Sequence, residues 1–241
     1  MLEEPLSRVA LFGLIPTIAT LAGSAMVFLP FSLDEKFIDA ALGFGSGLMA
    51  YIAFIELFAP SLELGGFGLS LVGFFAGIAL IRVLDTLVPH VRIVREGGRR
   101  NLTLVSLAIA IHNIPEGLAV GSTSLYSLEA GLATAAAIAI QDVPEGLIVS
   151  LAVASTYGKT LAAFAVGALS ALSEYISALT SIVGLIEPAA SLPLLMSISA
   201  SAMIYVVIHE VAPEIFGHEH DEFATVGFIA GVVAGLTLGV F

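Results

Sequence analysis

Two similar polar motifs interrupt long apolar stretches of the sequence, AIHNIPEGLAV at residues 110–120 and AIQDVPEGLIV at residues 139–149. The polar residues of the first are His112, Asn113 and Glu116, and those of the second are Gln141, Asp142 and Glu145. In each motif the glutamate follows the other two by four and three positions, a spacing that puts all three side chains on one face of a helix. Each motif therefore predicts a narrow helical face with a carboxylate and two further electron-pair donors.

A further carboxylate, Glu174, follows the second motif by about thirty residues. Together with Glu116, Asp142 and Glu145 it makes four acidic groups, which would repel one another at close range unless cations neutralised them. Imidazole, carboxylate and amide oxygen ligands suit Zn²⁺, Fe²⁺ or Mn²⁺. The chain has no cysteine, and methionines do not cluster, which argues against Cu⁺. The sequence therefore predicts a divalent-metal site in which Glu116 and Glu145 could each bridge two ions.

Composition indicates that the helices carrying these residues span a membrane. Of the 241 residues, 58% are hydrophobic and 12% are charged, and the mean hydropathy is +1.05. A bilayer core of about 30 Å requires roughly 20 apolar residues per helix, and the sequence divides into blocks of that length. We predict an all-α, polytopic membrane protein with one domain over residues 1–241. Its eight transmembrane helices are expected near 8–30, 38–59, 66–88, 102–123, 130–153, 160–186, 192–212 and 223–241.

Charged loop residues predict the orientation. Lysine and arginine favour cytoplasmic loops, and Lys36, Lys159 and the four arginines between residues 92 and 100 all fall on one side of the predicted bundle. Both termini are therefore expected outside the cytoplasm. The net charge of −12 argues against a nucleic-acid partner and favours cations.

The middles of the fourth, fifth and sixth predicted helices fall near residues 112, 141 and 173, so both motifs and Glu174 should lie at one membrane depth. An ionisable group there costs from ~2.5 kcal/mol upward and should face protein or water. Pro115 and Pro144 each remove a helical hydrogen bond. For one motif alone, a kink whose polar residues bond across the bundle explains the pattern equally well. The second motif and the four carboxylates favour a metal site.

At these residues the sequence resembles the ZIP family of divalent-metal transporters, most closely its prokaryotic GufA-like branch. HNIPEG and QDVPEGL match the paired signature of the family, SEY at residues 173–175 supplies its further glutamate, and IHEVAPE at residues 208–214 matches another family segment. The resemblance implies eight helices with both termini outside, a homodimer in the cell membrane, and movement of Zn²⁺ and related cations such as Cd²⁺ into the cytoplasm. The ion is then substrate, and the protein is not an enzyme.

The resemblance also implies ligand sets and a mechanism. One ion would be held near His112, Glu116, Gln141 and Glu145, and a second near Asn113, Glu116, Asp142, Glu145 and Glu174. Helices 1, 4, 5 and 6 would slide past helices 2, 3, 7 and 8 in an elevator-like motion. Many family members have histidine where this chain has Gln141, a change that should weaken the first site. The His-rich loop found before the fourth helix in many members is replaced by the short, basic VRIVREGGRRN.

Other polar residues suggest a route through the protein. Glu56 is a candidate for the entrance, although a hydrogen-bonded structural role is equally plausible. Candidates for the cytoplasmic exit are Asp85, His90, His209, Glu210, Glu214, His218 and His220. For His218 and His220, a place in a solvated acidic loop is at least as plausible. Serine and threonine residues within the helices are interpreted as packing residues.

Two other functions fit parts of the pattern. An intramembrane di-metal enzyme would also need buried carboxylates, but it generally needs more histidine ligands than the single His112 at this depth. A proton-coupled carrier of an organic solute could use the carboxylates as proton relays. Metal-dependent turnover without flux would favour the enzyme, and the absence of metal between the fourth and fifth helices would favour the solute carrier.

Overall fold

The fold is all-α. A computed structural model describes residues 3–30, 33–87, 102–217 and 219–239, and within these ranges no β-strand occurs. The α-helices are α1 (Glu3–Ala25), α2 (Glu35–Tyr51), α3 (Ala59–Leu87), α4 (Leu102–Tyr126), α5 (Leu128–Tyr157), α6 (Thr160–Thr180), α7 (Pro188–Val206), α8 (Ala212–Ile215) and α9 (Asp221–Leu238). The helical class predicted from the sequence is confirmed.

Short segments with other helical geometries join or extend these helices. A π-helix at Ile52–Phe58 connects α2 to α3, and another at Val207–Val211 connects α7 to α8. Gly66, inside α3, has φ 69° and ψ 170°, a conformation that favours glycine. It produces a kink at which one helical stretch ends and another begins. The predicted second and third helices meet close to this residue.

Six stretches of the described chain are long and apolar enough to cross a membrane. They are Glu3–Phe28, Glu35–Leu84, Leu128–Tyr157, Thr160–Leu185, Pro188–Ile215 and Asp221–Leu238. Large apolar side chains such as Ile18, Phe67 and Val226 are exposed, as expected where lipid rather than water is the solvent. The chain is a multi-pass membrane protein.

The helices α1 and α5 extend beyond the apolar blocks from which they were predicted, and the residues at their ends favour this extension. α1 begins at Glu3 rather than near residue 8, with Glu3 and Glu4 in its first turn, where acidic groups favour the positive end of the helix dipole. The Ser127 hydroxyl accepts a hydrogen bond of 3.0 Å from the Ala130 N–H and caps the start of α5. Gly158, at φ 65°, ends the same helix.

Glycines bring the helices together in two groups. One group, the flanking bundle, contains α2, α3, α7 and α9. A Cβ on Gly43 of α2 would collide with the carbonyl of Ala224 on α9, and one on Gly77 of α3 would collide with that of Ile198 on α7. Small residues allow such close backbone approach, which is a main source of helix association in membranes.

The second group, the site bundle, contains α1, α4, α5 and α6. Gly23 of α1 meets the carbonyl of Val143 on α5, and Gly117 of α4 meets that of Glu174 on α6. Between the two bundles, by contrast, the described glycines meet side chains: Gly45 faces Gln141, for example. The bundles are therefore each tightly packed internally and meet across a side-chain interface.

Candidate metal centre

Three helices of the site bundle place the motif residues in one buried cluster. The side chains of Asn113 and Glu116 on α4, Gln141 and Asp142 on α5, and Glu174 on α6 are each at most 2% exposed. Glu145 on α5 is partly buried. Both Pro115 and Pro144 lie inside continuous helices. The helical spacing read from the sequence is thus realised on α4 and α5, with Glu174 supplied by the neighbouring helix.

The carboxylates in this cluster are close together. Glu116, Asp142 and Glu145 each offer an oxygen, and these oxygens lie within 4.8 Å of one another. Glu174 also interacts electrostatically with Glu116 and Asp142. At such distances, and away from water, like charges repel strongly. The arrangement therefore suits a group of opposite charge at its centre.

Several buried oxygens of the cluster have no hydrogen-bond donor among the described residues. They are Asn113 Oδ1, Glu116 Oε2, Gln141 Oε1 and Glu174 Oε1. An unsatisfied buried acceptor costs roughly 1–3 kcal/mol, and more when charged. Four such acceptors next to clustered carboxylates form the oxygen-rich surroundings that hard and borderline dications prefer.

Gln141 has two roles in this arrangement. Its Nε2 donates a hydrogen bond of 2.5 Å to Glu116 Oε1, which fixes the orientation of that carboxylate. The amide oxygen of Gln141 then remains as an electron-pair donor. A neutral amide oxygen is a weaker zinc ligand than an imidazole nitrogen.

His112 contacts a residue from the other bundle. Its Nε2 lies 2.6 Å from Glu210 Oε2, and it also interacts electrostatically with Glu145. Glu210 lies in the π-helix Val207–Val211, and π-helical segments are common at functional sites. The sequence placed Glu210 at the cytoplasmic end of its helix, but the structure brings it into direct contact with the central cluster.

Thr20 on α1 contacts the cluster, although from the sequence only a packing role was expected for it. Its hydroxyl lies 3.1 Å from Asp142 Oδ2 and 3.3 Å from Glu174 Oε2. Thr20 also lines a small cavity together with Asn113, Asp142 and Glu145. Its membrane depth could have indicated this contact. The middle of the predicted first helix, 8–30, is residue 19, so Thr20 should lie at the same depth as the two motifs.

Three serines, two on α6 and one directly after its end, tie that helix to α4. The hydroxyls of Ser173, Ser177 and Ser181 donate to the backbone carbonyls of Ala110, Ile114 and Leu118, at 3.1, 2.6 and 3.4 Å. The donors and the acceptors are each four residues apart, which is one helical turn. For these serines the packing interpretation is correct, and their bonds hold Glu174 beside the α4 motif.

The remaining candidates that the structure describes have other contacts. Glu56 accepts a hydrogen bond of 2.8 Å from the Tyr51 hydroxyl across the first π-helix, which adds a structural contact to its proposed entrance role. The His209 ring stacks on Tyr205 with centroids 4.8 Å apart, and the His220 ring meets Phe223 edge-on. The Glu214 carboxylate is buried. The Asp85 side chain, His90 and His218 lie outside the described residues.

Comparison with known proteins gives consistent matches. The sequence model of the family described as "ZIP Zinc transporter" matches residues 100–240. Zinc transporter ZupT of Clostridium perfringens is 33% identical over 261 residues, covering 92% of each chain. Zinc transporter ZupT of Corynebacterium glutamicum is 34% identical, covering 93% of this chain and 95% of the relative. With matches this extensive, and with both polar motifs inside the region that the family model covers, the chain belongs to the ZIP zinc transporter family and is a transporter rather than an enzyme.

Proposed function

We propose that this protein carries Zn²⁺ into the cytoplasm through a binuclear site at the centre of the site bundle. The observation that carries the proposal is the buried cluster of Glu116, Asp142 and Glu145, whose oxygens lie within 4.8 Å of one another, with Glu174 beside them. Two dications balance four carboxylates. The cargo also has to leave, and a mixture of carboxylate, imidazole and neutral amide ligands binds firmly enough to strip water without trapping the ion.

The proposed ions share two ligands. The first ion is held by His112, Glu116, Gln141 and Glu145, and the second by Asn113, Glu116, Asp142, Glu145 and Glu174. The buried oxygens of Asn113, Gln141 and Glu174 that have no donor in the described chain support this assignment. Glu116 and Glu145, which occur in both sets, bridge the ions.

Zinc is the proposed substrate because the relatives are zinc transporters by name and because the ligand set suits it. Cd²⁺, Fe²⁺ and Mn²⁺ are proposed as further substrates on the chemistry of the ligands alone. We propose that the released ion leaves the central cluster along the second π-helix, Val207–Val211. The contact of His112 with Glu210 supports this exit path.

We also propose eight transmembrane helices in the cell membrane with both termini outside. Glu35–Leu84 has 50 residues, and at 1.5 Å per residue it is long enough for two crossings of a 30 Å core. The positive φ of Gly66 supports a break between them. α4, with 25 residues, supplies a further crossing.

The proposed transport motion is a sliding of the site bundle against the flanking bundle. It is supported by the glycine contacts, since the close backbone approaches lie within the bundles and side chains meet between them. We propose that two copies of the chain associate as a homodimer, which leaves each copy with its own ion path.

The test is Zn²⁺ flux into proteoliposomes, with Glu116→Ala and Glu145→Ala as variants. Both should lose nearly all uptake while inserting normally, because each removes a carboxylate shared by both ions. Glu129→Ala is the matched control, since Glu129 lies on α5 but is exposed in its first turn. Wild-type uptake by both variants would contradict the assignment of Glu116 and Glu145 as ligands of the transported ions.

A further inference from the structure

Thr20 contacts two charged groups of the proposed second ion site. The residue is 4% exposed on α1, and its hydroxyl lies within hydrogen-bond distance of Asp142 on α5 and Glu174 on α6, at 3.1 and 3.3 Å. A threonine hydroxyl has one proton. The two carboxylates and the Pro16 carbonyl oxygen, which is also 3.1 Å away, are three acceptors at slightly long distances that share this proton. One neutral side chain thus connects carboxylates from two helices.

The surrounding backbone fixes Thr20 in this position. A Cβ on Gly146 of α5 would lie 2.6 Å from the Thr20 carbonyl oxygen, and a Cβ on Gly167 of α6 would collide with Ser24, one turn further along α1. The Thr20 hydroxyl also lies 3.1 Å from the Pro16 carbonyl, an intrahelical contact that restricts its rotamer. The hydroxyl is therefore held between the two carboxylates by three close-packed helices.

Thr20 leaves one oxygen of Glu174 available. Glu174 Oε2 faces Thr20, whereas Oε1 is buried and finds no hydrogen-bond partner in the described ranges. A hydrogen bond to one oxygen of a carboxylate orients the other toward a bound metal ion, and such outer contacts typically contribute ten- to a hundredfold to metal affinity. Thr20 and Asp142 also line the same cavity as Asn113.

We propose that Thr20 is a positioning residue for the second ion. Its hydroxyl holds Asp142 and Glu174 so that their remaining oxygens converge on one ion, and it keeps these bonds when the ion is bound. Thr20 itself does not touch the ion. This inference rests on the proposed function, because it requires an ion at the site formed by Asn113, Asp142 and Glu174.

The experiment is a calorimetric titration of the purified full-length chain with Zn²⁺, in which the wild type is expected to bind two ions. Thr20→Val keeps the shape of the side chain and removes the hydroxyl. It should lower the affinity for the second ion roughly ten- to a hundredfold and leave the affinity for the first ion unchanged. Thr20→Ser retains the hydroxyl and should restore most of the affinity. Thr17→Val is the matched control, since the Thr17 hydroxyl donates to the Gly13 carbonyl of its own helix, at 2.6 Å.

The outcomes separate the two proposals. A wild type that binds fewer than two ions contradicts the binuclear site itself. A wild type that binds two ions, with Thr20→Val binding both equally well, overturns the role of Thr20 alone. Equal losses in Thr17→Val and Thr20→Val would also overturn it, because they would reflect helix packing. If Thr20→Val does not fold, Thr20→Ala compared with Thr20→Ser decides the question in the same way.

Discussion

At the scale of single residues, Gln141 is the proposed ligand of the first ion with the weakest affinity for zinc. Its amide nitrogen orients Glu116 at 2.5 Å, so that only its neutral oxygen is available to an ion. An imidazole nitrogen at this position would bind Zn²⁺ more tightly. The residue therefore favours release of the first ion over its retention.

Gln141→His should accordingly raise Zn²⁺ affinity and lower the maximal rate of uptake. Replacing a neutral amide oxygen by a nitrogen ligand stabilises the bound ion by about 1–2 kcal/mol, which is roughly tenfold in affinity. The measurement is the concentration dependence of Zn²⁺ flux, with both a lower half-saturating concentration and a lower plateau expected. Gln141→Asn, which keeps the amide but shortens the side chain, is the control, and it should lose affinity. A histidine variant with weaker apparent affinity would contradict this reading of Gln141.

At the scale of elements, the site depends on how closely α4 and α6 approach. Gly117 and Gly121 let the backbones meet, and Ser177 on α6 and Ser181 directly after it donate to α4 carbonyls one turn apart. Because Gly117 follows Glu116 and faces the carbonyl of Glu174, the packing contact and the ligands occupy the same turn.

Gly117→Ala should therefore destabilise the protein and also impair uptake. A methyl group at this position collides with the Glu174 carbonyl, and such overpacking typically costs about 1–3 kcal/mol. Thermal unfolding of the detergent-solubilised protein measures the first effect and proteoliposome flux the second. Gly68→Ala is the control, since a Cβ there meets no atom within 4 Å, and it should leave both unchanged. Full uptake by Gly117→Ala would show that the role of Glu174 in transport does not depend on the close approach of α4 and α6 at this turn.

The elements also show what a sequence can predict. Helical spacing grouped His112, Asn113 and Glu116, because this grouping follows from the geometry of one helix. Matching membrane depth added Gln141, Asp142 and Glu174, because depth follows from the thickness of a bilayer. The contact of Thr20 with Asp142, and that of His112 with Glu210, depend on which helices are neighbours. A periodic pattern along one helix carries no information about its neighbours, so these contacts required the structure.

At the scale of the whole molecule, two closely packed bundles meet across side chains. Ile81, Ala202 and Val206 of the flanking bundle pack against Ile111 of the site bundle. A side-chain interface can re-form after a displacement, whereas glycine-mediated backbone contacts are lost when helices shift. The interface between the bundles is therefore the surface on which we expect the proposed sliding to occur.

Cross-linking tests this division, and the natural chain has no cysteine to interfere. A short bifunctional thiol reagent that joins Ile111→Cys to Val206→Cys should abolish Zn²⁺ flux, because it fixes one bundle to the other. The control pair, Val153→Cys with Val166→Cys, lies within the site bundle, where these valines of α5 and α6 belong to one buried apolar cluster. Joining the control pair should leave flux intact. Undiminished flux through the first cross-linked pair would rule out sliding at this interface.

The most direct test of the central claim is X-ray anomalous scattering at the zinc edge from crystals of the full chain grown with Zn²⁺. We expect two peaks enclosed by α4, α5 and α6, both within coordination distance of Glu116 and Glu145, with one beside His112 and the other beside Glu174. Glu145→Ala crystals provide the control and should lose both peaks. A map with no peak in this cluster, or with zinc bound only elsewhere on the protein, would contradict the binuclear site.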